Sequence, residues 1–116
     1  MGMENKKEEE KSIEVIFRKM KNNQYGKGGI IALFPYQVEN NKGHVLSYEH
    51  QGQHSSANYN HIVQNSRLAT PEEYQNLKRE LTNDVGYKLL VVKKRDFARY
   101  DRAYTDLLFK ATDGIK

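Results

Sequence analysis

Residues 12–20 read SIEVIFRKM, and the architecture turns on whether they form a strand or a helix. Ile13, Ile16, Phe17 and Met20 recur at helical spacing, whereas Ile13, Val15 and Phe17 alternate as they would along a strand. The β-branched and aromatic content favours the strand. A first helix in its place is the alternative architecture.

Working outward, residues 1–11, MGMENKKEEEK, mix charges without apolar periodicity and read as a disordered charged tail. Downstream, KNNQYGKGG is a turn-rich connection leading into IIALFPYQV, so a β-hairpin is expected. Pro35 has no N–H for a ladder, which predicts that it ends the second strand or sits where the lost donor faces solvent. After the turn ENNKG, the stretch HVLSYEH alternates as a third strand. Val45, Ser47 and Glu49 lie on one face of it, and His44, Leu46, Tyr48 and His50 on the other.

Beyond the GQH bend, Ser55 or Ser56 can cap a short helix running to about Ser66. ATPEEYQNLKRELTNDVG carries the strongest local signal. Thr70 is an N-cap, Pro71 suits the first helical position and Glu73 completes a capping box. Tyr74, Leu77 and Leu81 then form the buried stripe, and Gly86 stops the helix. Four consecutive apolar residues in YKLLVVKK predict a strand covered on both faces near the middle of a sheet. The last stretch, RDFARYDRAYTDLLFK, sets Phe97, Tyr100, Tyr104, Leu107 and Leu108 on one helical face, and residues 111–116 are expected to fray.

The expected fold class is therefore α+β, a small three- to four-stranded mixed or antiparallel sheet covered by two or three helices, in one domain over residues 12–110. A chain of 116 residues has room for one modest core. With no cysteine, disulfides, thiolate zinc sites and cysteine nucleophiles are excluded. IIALF and LLVV are too short to cross a bilayer, and the N-terminus opens on charges instead of an apolar signal, so a cytoplasmic protein is expected.

The stretch SYEHQGQHSSANYN, residues 47–60, concentrates polar and aromatic groups. His50, His54 and His61 with Glu49 are metal-ligand types, but Gly52 and a strand origin for His50 argue against the shared helical face that a spacing of four requires. A histidine can also serve Ser55 or Ser56 as general base, with Tyr48 or Tyr59 as donors, although no nucleophile elbow or triad accompanies them. The bland alternative is that Gly52 makes a turn, Gln53 and His54 satisfy backbone groups, and the tyrosines pack at the rim. Tyr48, His50, Gln53, His54, Tyr59 and His61 are therefore candidate ligand-binding residues. No catalytic residue, metal site or cofactor is assigned.

EVIFRK, IIALFPY, SYEHQGQHSSANYN, ATPEEYQNLKREL and GYKLLVVKK in this order resemble a family of short uncharacterised proteins encoded by gut Bacteroides relatives, their mobile elements and their phages. The likeness spans roughly residues 12–95, and the run of Tyr48, His50, Gly52, Gln53, His54 and Tyr59 is its most specific part. It implies a strand at EVIFRK and a phage or mobile-element setting, and it transfers no catalytic residues. The charged N-terminus and the last helix are less typical of it.

Charge supplies a second site. Nineteen Lys and Arg against fifteen Asp and Glu give +4, with a pI near 9.2. From Lys88 onward there are eight basic and four acidic residues. Lys93, Lys94, Arg95, Arg99 and Arg102 cluster where the last strand enters the last helix, interleaved with Phe97, Tyr100 and Tyr104. Cations neutralise phosphates and exposed rings stack on unpaired bases, so these five are candidate nucleic-acid-binding residues. Asp96, Asp101 and Asp106 dilute the field, and the aromatic stripe equally suits a helix packed on a core, on a protein partner or on a second copy in a homodimer. The expected function is a small non-enzymatic protein that binds nucleic acid or a protein partner. The alternative is a small-ligand binder or hydrolase-like enzyme using His50, His54 and Tyr59.

Overall fold

A computed structural model describes residues 12–22, 28–49 and 54–115, with the backbone alone for 111–115. SIEVIFRKM is a strand: β1 spans Ile13–Met20. On one side it pairs antiparallel with β2, Ile30–Val38. Its other side is shared by two short strands in tandem. β5, Ser66–Leu68, runs antiparallel along Arg18–Met20, and β6, Leu89–Val91, runs parallel along Ile13–Val15. Beyond β2 follow β3, Val45–Tyr48, and β4, His54–Ala57, as an antiparallel meander. The six-stranded sheet is thus mixed, in the order β4-β3-β2-β1-β5 with β6 beside β1.

The double periodicity of SIEVIFRKM has a physical cause: both faces of β1 are covered. Val15 and Phe17 join Ala32, Phe34, Tyr48, Leu77 and Leu81 in one apolar cluster. Ile16 joins Ile31, Leu33 and Ala57 in the other, with Met20, Tyr59 and Ile62 against it. A strand apolar on alternate faces mimics helical spacing.

Helix α1 spans Tyr59–Gln64, α2 spans Pro71–Glu80, and α3 spans Phe97–Ile115. The capping box of α2 forms as the sequence specifies, Thr70 and Glu73 each accepting from the other's backbone. Tyr74 stacks on Phe17 at 4.4 Å between ring centroids, and Leu77 and Leu81 bury beside it. From Leu81 the helix widens into a π-turn through Val85 and stops at Gly86, whose φ of 95° lies in the left-handed region. No helix among the described residues is long and apolar enough to cross a membrane.

The sheet is larger than the three or four strands expected. HSSA is an edge strand and not a helix start: Ser55 and Ser56 pair with Ser47 and Leu46, and the N-cap of α1 is Asn58, which accepts from the His61 N–H at 3.2 Å. Only Ala57 of that stretch reaches the core, too little apolar surface to hold an amphipathic helix. Helix α1 ends at Gln64, and Ser66, expected near its end, instead opens β5.

YKLLVVKK is likewise not central. It supplies the three-residue edge strand β6, and Leu90 is 52% exposed. Pro35 does not end β2. The strand continues to Val38 past a register shift against β3 between Phe34 and Val38, where a residue without an N–H is accommodated. The backbone of α3 continues past Lys110 to Ile115. Residues 1–11, read as a tail, lie outside the described residues.

Candidate functional site

The two candidate regions touch at Tyr59 and Arg95, while Tyr48 and His54 form a separate pair. In the histidine-bearing hairpin, Tyr48 and His54 are cross-strand partners on the α2 side of the sheet. Their rings meet edge to face at 4.8 Å. The buried Tyr48 hydroxyl donates to the Glu80 carboxylate. His54, exposed, shares a hydrogen bond of 3.1 Å between Nε2 and the Tyr87 hydroxyl. His50, Gln53 and Gly52 lie outside the described residues.

Tyr59 and His61 sit on α1, against the opposite face. His61 pairs its Nδ1 with Asn65 Nδ2 at 3.5 Å. Tyr59 packs in the second apolar cluster, and its hydroxyl accepts the Arg95 N–H at 3.1 Å. The structure therefore joins Tyr48 to His54 but not to Tyr59 or His61. Among the described residues no three His, Asp or Glu come together as metal ligands.

The basic corner is built by tyrosine hydroxyls. Where the chain leaves β6, Tyr59 accepts the Arg95 N–H, and Tyr36 accepts the Asp96 N–H at 2.8 Å. Asp96 then starts α3, its Oδ1 accepting from the Ala98 N–H at 2.9 Å. Two residues of the predicted stripe turn inward: Tyr100 donates to the Gly43 carbonyl at 2.7 Å, and Tyr104 to the Asn41 carbonyl at 2.5 Å. The turn can approach so closely because Gly43 has a φ of 80°, and a Cβ there would run into the Tyr100 hydroxyl.

With the corner fixed, the five candidate cations divide. Arg99 is committed within the chain: Nη2 donates to Glu14 Oε2 at 2.6 Å, the guanidinium lies 3.9 Å from the centre of the Tyr36 ring, and the Glu14 carboxylate raises the Arg99 pKa further. Arg95 is held differently. Its guanidinium carbon lies 4.0 Å from the Tyr59 ring centre and 3.8 Å from that of Tyr100. A cation–π contact of this kind engages the ring and not a hydrogen-bond acceptor, so it does not consume the guanidinium N–H donors. Among the described residues none of those N–H groups donates to a protein acceptor. Lys93, Lys94 and Arg102 are exposed, and Phe97 is 64% exposed beside them.

No protein-family model matches the chain. Neither does any curated protein or solved structure at a significant level.

Sequence reading missed Tyr36 and Glu14, which hold Arg99 from strands far away in the chain. Glu14 and Arg99 are 85 positions apart, and no local pattern links them. It also missed an apolar cavity of about 250 Å³ beside the corner, with Lys93 in its lining. That cavity exists only because β5 and β6 share one side of β1.

Proposed function

We propose that this protein is a non-catalytic nucleic-acid-binding protein of phage or mobile-element type, which holds phosphates at the junction of β6 and α3. Lys93, Lys94 and Arg95 make the contact, and Arg102 extends it along the helix. The carrying observation is Arg95, whose guanidinium carbon lies 4.0 Å and 3.8 Å from the Tyr59 and Tyr100 ring centres and whose side-chain N–H groups meet no acceptor among the described residues. A guanidinium so fixed is a planar fork suited to the two oxygens of a phosphate, and little rotamer entropy remains to be lost on contact. Lys93 and Lys94 add mobile charge that follows a backbone without reading its sequence. Exposed Asp96 and Asp101 weaken the field, so binding is modest and salt-sensitive.

The test is retention on immobilised single- and double-stranded nucleic acid across a salt series. Retention at low salt that is lost in the Lys93→Glu/Lys94→Glu variant is expected. Retention unchanged by that variant, or absent from the unaltered protein at low salt, overturns the reading.

A protein partner keeps one observation in its favour: Phe109, beyond the last tyrosine stitch of α3, is 66% exposed. Concentration-dependent association that Phe109→Ser abolishes would favour it.

A further inference from the structure

The cavity beside Lys93 follows from the topology. β6 covers Ile13–Val15 of β1 and β5 covers Arg18–Met20. The two short strands diverge between those spans, one chain leaving through Ala69 into α2 and the other through Val92 toward α3. The Ala69 N–H still reaches the Phe17 carbonyl at 2.9 Å, and the Val92 N–H the Val15 carbonyl at 2.9 Å. Past these bonds a notch opens, lined by Phe17, Tyr74, Leu68, Val91 and Val92, with Lys93 among its walls.

We infer that this notch receives one unpaired base of a single-stranded nucleic acid whose phosphates lie on Lys93 and Lys94; the inference rests on the reading of the basic corner given above. The chemistry is matched in three respects. At about 250 Å³ the space lies just under the ~300 Å³ at which pockets for whole small molecules begin, so it suits one flat ring system. The walls are aliphatic and aromatic, with the stacked Phe17 and Tyr74 rings among them. That lining attracts any base by its π-face and apolar surface without selecting among bases.

Lys93 belongs both to the cavity and to the cationic corner, which calls for a ligand carrying an anion beside its flat body. A nucleotide within a strand has that layout. A duplex does not, because its bases are stacked and paired inside and must be extruded at a cost before one can enter.

The experiment measures binding of three short labelled probes of equal length to the full chain at low salt: oligothymidylate, the corresponding abasic sugar-phosphate strand, and a duplex. Oligothymidylate should bind at least about fivefold more tightly than the abasic strand, the gain expected of a single stacked base. The duplex should bind no better than the abasic strand. Leu68→Trp, at a position 38% exposed on the rim, fills the notch and should bring oligothymidylate down to the abasic level. Lys93→Glu/Lys94→Glu should weaken all three probes.

Equal binding of base-bearing and abasic strands overturns the notch and leaves the basic corner standing. So does a base preference that survives in folded Leu68→Trp, which would place the base elsewhere. Duplex binding as tight as that of oligothymidylate overturns it too. Absence of binding by all three probes overturns the inference and the underlying function together.

Discussion

Arg99 of α3 and Glu14 of β1 meet at 2.6 Å, an ion pair that joins the last helix to the strand from which the sheet is built. The side chain of Glu14 is 19% exposed and that of Arg99 45%, so solvent screens the pair only in part. Arg99→Glu sets two carboxylates against each other and removes the cation from the Tyr36 ring. Faster hydrogen exchange along the first turns of α3 and a lower Tm are expected, with the amides of β2 and β3 unchanged. Exchange measured residue by residue checks this. Uniform loss of protection across the sheet would show that the pair holds the whole fold instead of the helix.

Two glycines with positive φ separate backbone strain from packing. At Gly86 a Cβ meets nothing, so Gly86→Ala carries only the left-handed penalty, about 1 kcal/mol. At Gly43 the same penalty is joined by a collision with the Tyr100 hydroxyl. Gly43→Ala should therefore cost more than Gly86→Ala, and the Gly43→Ala/Tyr100→Phe double variant should recover part of the difference. Denaturant titrations of the four proteins give the comparison.

Acid stability should depend on Glu73. Its carboxylate receives two N–H bonds from Arg67, at 2.6 and 2.8 Å, and one from the Thr70 backbone at 2.9 Å. These lower its pKa from 4.5 to about 2, Arg67 contributing most. A depressed carboxylate adds stability that is fully present above its unfolded value and is lost as pH falls through the folded one. The acid limb of the stability profile should accordingly drop between about pH 4.5 and 2. In Glu73→Gln that limb should flatten while the profile at neutral pH lies lower, which denaturant melts across the range would reveal.

How much of this was legible in the sequence depends on the range of the forces involved. The cap of α2 is local, and Thr70, Pro71 and Glu73 announced it outright. The alternation of β3 was legible because Leu46 and Tyr48 face one apolar cluster while Val45 and Ser47, one residue off, lie on the opposite face of the strand. β4 was misread because Ser55 and Ser56 are good caps in isolation, and what makes them strand is the neighbouring VLSY edge. β6 was misplaced because a run of four apolar residues reads as covered on both faces, whereas at the sheet edge Leu90 is left 52% exposed.

At the corner, the cluster of cations was visible, yet its division was not. Whether Arg95 or Arg99 is spent inside the chain is decided by Tyr59, Tyr100, Tyr36 and Glu14, three of them from distant elements. Four of the eight tyrosines, Tyr36, Tyr59, Tyr100 and Tyr104, are hydrogen-bonding stitches between those elements.

Arg95→Lys separates charge from shape. Lysine keeps the positive charge, so the number of phosphates neutralised, and with it the slope of log affinity against log salt, should stay the same. What it loses is the planar fork and the stack between Tyr59 and Tyr100. Affinity for single strands should then fall about tenfold at every salt concentration, with stability down by about 1 kcal/mol from the lost ring contacts. Lys94→Ala should do the reverse, reducing the slope by about 1 with stability unchanged, because an exposed lysine acts as a point charge. Salt titrations of the two variants beside the parent read both quantities at once. If Arg95→Lys lowered the slope as Lys94→Ala does, Arg95 would be acting as one more mobile charge, and its clamp between the tyrosines would matter to the docking of α3 alone.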